Sequence, residues 1–237
     1  MPQIQPSEVQ TFASIKVVGV GGAGGSAINR MKDAGLTGVQ FIAMNTDAQA
    51  LHNSKADIKI HLGRDATNGL GAGADPTVGE AAANESRDEI REALEGADMV
   101  FVTIGAGGGT GSGAGYVVAE VARELGILVV GVATRPFSFE GEKRRVNADW
   151  AISHLGREVD TLITIPNDRL FEIPGMNISL MNAFKEANGV LKMGIKGISD
   201  LITKQGIVNL DFADIKSIMQ NSGIAMLGFG EANGDEK

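Results

Sequence analysis

The sequence MVFVTIGAGGGTGSG occupies residues 99–113 and joins an apolar run directly to a run of glycines. A continuous apolar run such as Met99–Ile104 predicts a parallel strand that is buried on both faces. A helical pattern, Tyr116–Leu125, follows the glycines. A flexible linker is the alternative interpretation, but a linker does not join a core strand to a core helix. We therefore interpret Gly105–Gly113 as a phosphate-binding turn, and it is not a Walker A loop because no lysine follows the glycines.

A second glycine-rich turn follows the apolar run Ile15–Val20 and precedes a helical stretch, Ser26–Ala34. Residues Gly19–Gly25 read GVGGAGG and contain the spacing G-x-G-x-x-G. Such glycines let a phosphate approach the backbone, and the helix N-terminus supplies N–H donors. The fingerprint alone fits a tight structural turn equally well, and Asp47 is a candidate for the ribose-binding acid of a dinucleotide site. Two such turns on one sheet predict two adjacent phosphate-binding turns at its carboxyl edge.

The remaining pattern predicts an α/β fold, a doubly wound and mostly parallel sheet with helices on both faces. Further strands are predicted at Val39–Met44, Ile58–His61, Ile127–Ala133 and Thr161–Ile165, helices at Val78–Leu94 and about 142–156, and a long loop at Gly63–Gly79. Apolar residues recur every three or four positions over Leu180–Thr203, which predicts one long amphipathic helix. A further helix is predicted to start at Asp211. The last apolar run, Ile224–Gly230, is predicted to be a strand without a partner.

Composition and charge exclude several classes of protein. The chain has 237 residues, of which 43% are hydrophobic and 21% charged, and this is ordinary for a folded globular protein. Its net charge of −8 argues against binding to nucleic acid or to anionic lipid. The absence of cysteine excludes disulfides and thiol chemistry, and the three histidines lack metal-ligand spacing. No apolar run is long enough to span a membrane and no signal-peptide pattern opens the chain, so we expect a cytoplasmic protein.

Several motifs, in order along the chain, resemble the tubulin/FtsZ family of GTPases, and within it the bacterial cell-division proteins of the FtsZ type. These motifs are Gly105–Gly113 (GAGGGTGSG), Gly21–Gly25, Asn45–Asp47 (NTD), Gly69–Pro76 (GLGAGADP), Thr134–Arg144, Ile165–Asp168 and Asn209–Asp214 (NLDFAD). The resemblance extends from about Ile15 to Gly230. It implies a tubulin-like nucleotide-binding domain, a long central helix and a stub of a second domain. It also implies GTP hydrolysis coupled to head-to-tail assembly into filaments for cell division at midcell.

The resemblance assigns the nucleotide contacts residue by residue. Backbone N–H groups of Gly22–Ser26 and Gly107–Ser112 are implied to hold the phosphates. Thr110 is implied to lie near the γ-phosphate, with Ala72 and Gly73 closing over it. The full set implied to bind the nucleotide is Gly21, Gly22, Ala23, Gly24, Gly25, Ser26, Asn45, Asp47, Ala72, Gly73, Gly105, Gly107, Gly108, Gly109, Thr110, Gly111, Ser112, Glu140, Arg144, Asn167, Phe184, Asn188 and Gly189.

At the other end of the nucleotide, the resemblance implies that Glu140 and Arg144 bind the ribose side. It implies Asn167 and Asn188 at the edge of the base, with Phe184 stacked on the base. The residues alone leave plainer interpretations open. Glu140 and Arg144 fit an ion pair four residues apart on a helix equally well. Phe184 fits a core position, and Asn167 fits a turn.

Catalysis is implied for Asp211 and Asp214, together with Asn209, on the nucleotide of the neighbouring subunit. There the carboxylates position the attacking water. Helix capping is the alternative interpretation of Asp211 and Asp214. GTP or GDP is the implied ligand and Mg²⁺ is expected with the phosphates, although the sequence shows no dedicated carboxylate cage. The implied partner is a second copy of the chain, while the family's division-machinery partners bind a tail peptide that we expect to be absent here.

Two residues depart from the family pattern as the resemblance aligns them. Ser26 stands where the family usually has Asn, a mild change because Ser also donates and caps. Gly189 stands where the family usually has an Asp that accepts from guanine, so we expect guanine to be selected less strictly.

The resemblance also divides the chain. The expected parts are an N-terminal arm (1–13), a GTP-binding domain (14–178), a central helix (179–204), a catalytic loop and helix (205–222) and the truncated start of a second domain (223–237). Only residues 223–237 belong to the second domain in this division, and in the family that domain helps to dock the next subunit. We therefore expect slow GTP hydrolysis and poor filament formation. Two other classes stay open: a nucleotide-binding form that does not polymerise, and an NAD-dependent Rossmann oxidoreductase. The oxidoreductase does not need the second glycine-rich turn.

Overall fold

The structure of the protein is a computed structural model that describes residues 13–172, 180–203 and 211–226. Within these residues seven strands form one sheet, and every pair of neighbouring strands is parallel. The strands are β1 (Ile15–Val20), β2 (Gln40–Asn45), β3 (Ile58–His61), β4 (Met99–Gly105), β5 (Leu128–Arg135), β6 (Thr161–Pro166) and β7 (Gly223–Ala225). The predicted doubly wound parallel α/β fold is therefore confirmed.

Helices cover both faces of the sheet. They are α1 (Gly21–Asp33), α2 (Ala48–His52), α3 (Arg64–Thr67), α4 (Pro76–Glu85), α5 (Arg87–Leu94), α6 (Thr110–Glu124), α7 (Glu142–Glu158), α8 (Leu180–Thr203) and α9 (Phe212–Met219), with 3-10 turns at Ser138–Glu140 and Asn167–Glu172. Alternate residues of β1 point to opposite faces. Val18 packs in the core formed with α4 to α7, and Val17 packs in the core formed with α1 and α8. Both faces of the strand are therefore buried, as its continuous apolar sequence requires.

The order of the strands positions the candidate site. The sheet order is β3-β2-β1-β4-β5-β6-β7, so the chain first winds outward from β1 and then returns to its other side with β4. The carboxyl ends of β1 and β4 are Val20 and Gly105, and each leads directly into a glycine-rich turn. In open α/β sheets ligands bind at this topological switch point, just beyond the carboxyl ends of the strands.

Two helices begin earlier than the sequence predicted. The first begins at Gly21 rather than Ser26, and α6 begins at Thr110 rather than Tyr116. Glycine has a poor helix propensity, so the sequence pattern placed these residues in loops. Tertiary packing outweighs propensity here: a Cβ on Gly111 would lie 3.1 Å from the carbonyl oxygen of Gly105.

The predicted helix Val78–Leu94 is divided into α4 and α5. The break is at Ser86, whose buried hydroxyl accepts a hydrogen bond from the backbone N–H of Gly63 at 3.1 Å. The predicted long loop Gly63–Gly79 is also shorter than expected, since it contains α3 and the beginning of α4. The predicted long helix is confirmed over Leu180–Thr203, and the residues on either side of it lie outside the described part of the chain.

The prediction that the last strand has no partner is wrong. Strand β7 pairs in parallel with β6, with Thr161 opposite Gly223. The hydroxyl of Thr161 donates to the carbonyl oxygen of Met219 at 2.7 Å and lies 2.7 Å from the hydroxyl of Ser222. These two contacts hold the chain at this edge of the sheet. The side chain of Ile224 is nevertheless 79% exposed. The rest of the run, 227–230, lies outside the described residues, and the domain boundaries stay a prediction.

Candidate functional site

A cleft of about 390 Å³ opens at the switch point between β1 and β4. It is bounded by the two glycine-rich turns, the end of β5, the first 3-10 turn and the beginning of α8. Its lining consists of Val20, Gly22, Ala23, Ser26, Gly105, Ala106, Gly108, Gly109, Thr110, Gly111, Thr134, Pro136, Glu140, Arg144, Asn167, Phe184 and Ala187. The structure therefore brings both turns and most of the residues implied for the base and ribose into one cavity.

Two helix N-termini meet at this cleft without caps. The N-cap residues of α1 and α6, Val20 and Gly109, make no side-chain capping bond, and neither helix has an acidic residue in its first turn. The two ends are close together, since a Cβ on Gly21 would lie 2.8 Å from the nitrogen of Gly111. Uncapped N–H groups and the positive ends of two helix dipoles therefore face one cavity, an arrangement that favours an anion.

The other helices whose N-cap the structure describes have a side-chain cap or an acidic residue at the N-terminus. Asp47, Asp75 and Asp211 cap α2, α4 and α9, and α3, α5 and α7 each have an acidic residue in their first turn. The hydroxyl and backbone N–H of Thr77 hold the pKa of Asp75 below its usual value, because both bond the ionised carboxylate. Among the helices whose N-cap the structure describes, only α1 and α6 lack both a cap and an acid.

The glycines of the two turns are not equivalent. A Cβ on Gly22 or Gly108, both of which line the cleft, would meet no atom within 4 Å. By contrast, a Cβ on Gly105 would lie 2.4 Å from the Cβ of Ala23, and one on Gly113 would lie 1.8 Å from the carbonyl oxygen of Pro76. Most glycines of residues 105–113 therefore allow close packing of helices and strands. Open backbone for a ligand is concentrated at Gly22 and Gly108.

At the base end of the cleft, Phe184 is 44% exposed and lines the cavity, so the core interpretation of this residue is wrong. Asn167 is buried at the end of β6, and its Oδ1 has no hydrogen-bond partner among the described residues. An unpaired buried amide oxygen is costly, so a ligand that donates a hydrogen bond at this point would be favoured. An exposed ring beside an unsatisfied amide suits a flat heterocycle with N–H groups.

The ion-pair interpretation of Glu140 and Arg144 is confirmed, while their contact with the ribose stays a prediction. The two side chains form the predicted ion pair, with a distance of 2.8 Å between Arg144 Nη1 and Glu140 Oε2, and both also line the cleft. The other carboxylate oxygen of Glu140 accepts from the backbone N–H of Phe137 at 2.9 Å. Glu140 is thus fixed at both oxygens, while half of the Arg144 side chain stays exposed beside the cavity.

Several implied nucleotide contacts do not line the cleft. The hydroxyl of Ser112 is turned inward and accepts from the N–H of Gly107 at 2.9 Å. Asp47 uses its Oδ1 to cap α2, accepting from Ala50 N at 2.9 Å, and Asn45 Oδ1 accepts from Asp47 N at 3.2 Å. Six further implied residues also lie outside the lining, namely Gly21, Gly24, Gly25, Ala72, Gly73 and Gly107.

Gly189 does not line the cleft, and its part in base selection stays a prediction. This residue lies in a separate groove with Arg30, Asp33 and Lys192. The reason is helical geometry, because position 189 is five residues after Phe184 and therefore about 140° away around α8. The side chain of Asn188 lies outside the described part of the chain, so its contact with the base stays a prediction.

The implied catalytic residues are only partly described. Asn209 lies outside the described residues. The Oδ1 of Asp211 accepts from the backbone N–H of Asp214 at 2.8 Å, so the capping interpretation of Asp211 is confirmed. Both acids are exposed. Capping leaves one carboxylate oxygen of Asp211 free of that bond, and the action of these acids on a second subunit stays a prediction.

Sequence reasoning missed five residues that line the cleft, namely Val20, Ala106, Thr134, Pro136 and Ala187. Their positions carried a signal, since Val20 and Thr134 lie at the carboxyl ends of β1 and β5 and Ala187 is one turn after Phe184. It also missed Thr46, whose hydroxyl lies 2.6 Å from that of Thr110.

No group of three or more His, Asp or Glu side chains in residues 13–172, 180–203 and 211–226 could hold a metal ion. No helix in the same ranges is long and apolar enough to cross a bilayer.

The strand order and the uncapped cleft define a parallel α/β domain of the nucleotide-binding class. A model of the "Tubulin/FtsZ family, GTPase domain" matches residues 14–175, and the chain belongs to this family. The central resemblance seen in the motifs is thereby confirmed.

Solved structures agree with this assignment. The chain is 50% identical to FtsZ from M. jannaschii, described as an empty dimer, over 91% of this chain and 63% of that chain, with a TM-score of 0.88. It is 26% identical to CetZ2 from Haloferax volcanii in a GTPγS-bound protofilament, over 89% of this chain and 64% of that chain, with a TM-score of 0.76. CetZ1 from Haloferax volcanii, a GDP-bound monomer, is also 26% identical, over 89% of this chain and 65% of that chain, with a TM-score of 0.75. The chain therefore spans less than two thirds of the length of these proteins.

Proposed function

We propose that this chain binds GTP in the cleft between β1 and β4 and hydrolyses it when subunits assemble head to tail, as a member of the FtsZ type acting in cell division in the cytoplasm. The observation that carries the proposal is the meeting of two uncapped helix N-termini at a cleft with open glycines. Its relatives support the ligand, since a CetZ2 protofilament holds GTPγS and a CetZ1 monomer holds GDP.

The described residues divide the ligand between them. The N–H groups of the first turns of α1 and α6 would hold the phosphates, and Thr110 would donate to the γ-phosphate. Phe184 would stack on the base and Asn167 Oδ1 would accept from it, as guanine offers N–H donors at its edge. Mg²⁺ would be bound chiefly by the phosphates and water, because the described residues provide no cluster of three metal-binding side chains.

Hydrolysis would need a second subunit. Asp211 and Asp214 are exposed at the beginning of α9, so their carboxylates are accessible to the nucleotide of a neighbouring subunit. A head-to-tail contact is heterologous and does not close on itself, so it would produce open filaments. Turnover per subunit should then rise with protein concentration.

Binding is tested first, with Gly108→Ser against wild type. A Cβ at 108 would meet no atom within 4 Å, so we expect serine there to keep the fold while adding a side chain to the lining of the cleft. We expect the affinity for GTP to fall by about tenfold or more, measured by titration with a fluorescent GTP analogue. Gly197→Ser is the matched control, because Gly197 is equally open but far along α8, and it should bind as wild type does. Equal binding by both variants would mean that this cleft is not the phosphate site.

Hydrolysis is tested by phosphate release at increasing protein concentration, together with sedimentation. Asp211→Asn with Asp214→Asn is the variant of choice, since asparagine still caps α9. It should bind GTP normally and lose concentration-dependent turnover. Turnover per subunit that does not depend on concentration in wild type would favour the form that binds nucleotide without polymerising.

A further inference from the structure

Two buried threonine hydroxyls lie side by side at the phosphate end of the cleft. Thr46 follows the carboxyl end of β2, and Thr110 is the first residue of α6. Their Oγ1 atoms are 2.6 Å apart, which is a short hydrogen bond in which either atom can be the donor. Thr46 is fully buried, whereas Thr110 is 8% exposed and lines the cleft.

The two hydroxyls share two hydrogens, and only one of them bridges the pair. If Thr110 donates, the second hydrogen belongs to Thr46, whose hydroxyl has no other partner among the described residues. That arrangement leaves a buried O–H unsatisfied, which is costly. If Thr46 donates, the second hydrogen belongs to Thr110 and can point into the cleft.

The backbone of Thr46 is held in place independently of this bond. Its carbonyl oxygen accepts from the N–H of Gly71 at 3.3 Å and from the hydroxyl of Thr67 at 3.4 Å. Both donors belong to the segment that follows β3. The position of the Thr46 hydroxyl is therefore fixed by β2 on one side and by this segment on the other.

We infer that Thr46 is a positioning residue: its hydroxyl donates to Thr110, so that the Thr110 hydroxyl is turned to donate to the terminal phosphate of the ligand. The inference deepens the proposed function and rests on it. It assigns to a residue that does not touch the ligand a part in distinguishing a nucleoside triphosphate from a diphosphate. The charge-assisted bond from Thr110 to the phosphate depends on this orientation.

The test compares the affinities of the full chain for GTP and GDP in the presence of Mg²⁺. Thr46→Val removes the hydroxyl and keeps the shape, and Thr46→Ser keeps the hydroxyl. We expect Thr46→Val to lower the ratio of GTP to GDP affinity by about five- to tenfold with GDP affinity unchanged. The ratio of GTP to GDP affinity in Thr46→Ser should stay within about twofold of the wild-type ratio. In a Thr110→Val background, Thr46→Val should have no further effect on the ratio.

If Thr46 had a merely structural role, Thr46→Val would lower the affinities for GTP and GDP equally and lower the melting temperature. That result would overturn the inference. An unchanged ratio in Thr46→Val, or additive losses in the double variant, would overturn it too. If Thr46→Val does not fold, Thr46→Ala provides the same comparison. A wild-type chain that binds no GTP would overturn the proposed function as well, whereas a GTP-binding wild type with an unaffected Thr46→Val overturns only the role of Thr46.

Discussion

The glycines of the two turns at the cleft fall into two groups that the sequence does not separate. One group faces protein atoms: a Cβ on Gly113 would lie 1.8 Å from Pro76 O, and one on Gly24 would lie 2.6 Å from Thr103 O. The other group faces open space, as at Gly22 and Gly108. The first group lets helices and strands touch at backbone distance. The second leaves backbone exposed in the cleft.

This difference shows how the site is built. The glycines that face protein atoms, here called closed, bring α6 against α4 and α1 against β1 and β4. This close packing fixes where the two uncapped N-termini meet. The open glycines then keep side chains away from the space in front of those N-termini. Substitutions in the first group should therefore affect folding, and substitutions in the second should affect the ligand.

The largest effect is expected for Gly113→Ala. The new methyl group would overlap the backbone of α4 at Pro76 and Glu80, so α4 and α6 must separate. We expect a loss of about 3 kcal/mol or more in the free energy of unfolding, measured by denaturant titration of the ligand-free protein. Gly197→Ala is the control: its site is open and helical, and alanine should stabilise it by up to about 1 kcal/mol. Equal stability of the two variants would show that the closed group is not closed in solution.

Gly22→Ala should separate folding from binding, because its two effects have opposite signs. The position is helical and open, so alanine should raise the free energy of unfolding of the ligand-free protein by a few tenths to about 1 kcal/mol. The same methyl group projects into the cleft and should weaken GTP binding severalfold. Stability would be measured by denaturant titration and affinity by fluorescent-nucleotide titration. Stabilisation without any loss of affinity would remove Gly22 from the site.

The smallest effect is expected for Gly189→Asp. The resemblance implied that this change sharpens the preference for GTP over ATP, but Gly189 lies in the groove with Arg30 and Lys192. We expect the preference, measured by competition binding, to change by less than about twofold. Gly197→Asp, also on α8, should behave in the same way. A clear gain in GTP preference for Gly189→Asp alone would return position 189 to the base site.

The strands were predictable because each is a continuous apolar run buried on both faces, and Ile58–His61 and Thr161–Pro166 lie within one residue of the predicted bounds. The helix α8 was predictable because its apolar face repeats without interruption. The beginnings of α1 and α6 were not, since glycines conceal a helix that packing imposes. The break at Ser86 depends on a hydrogen bond to Gly63, a partner 23 residues away that no local pattern shows.

The site itself was predicted in part for similar reasons. The motifs placed Phe184, Asn167, Glu140 and Arg144 correctly in the cleft, because each follows a recognisable element of the family pattern. Gly189 was placed at the base by motif alignment, although its helical spacing from Phe184 puts it on another side of α8. Thr46 was missed because nothing local shows that the end of β2 meets the beginning of α6.

By itself, the sequence determined the parallel α/β class, the two glycine-rich turns and the family, because apolar runs and motifs are local properties of the chain. Tertiary structure alone decided which glycines are closed, where the two uncapped helix ends meet, and which hydroxyls meet. It also paired β7 with β6, where the sequence had predicted a strand without a partner. The physical reason is common to all four: each depends on atoms that lie far apart in the chain and approach within a few ångströms only when the sheet and its helices pack together.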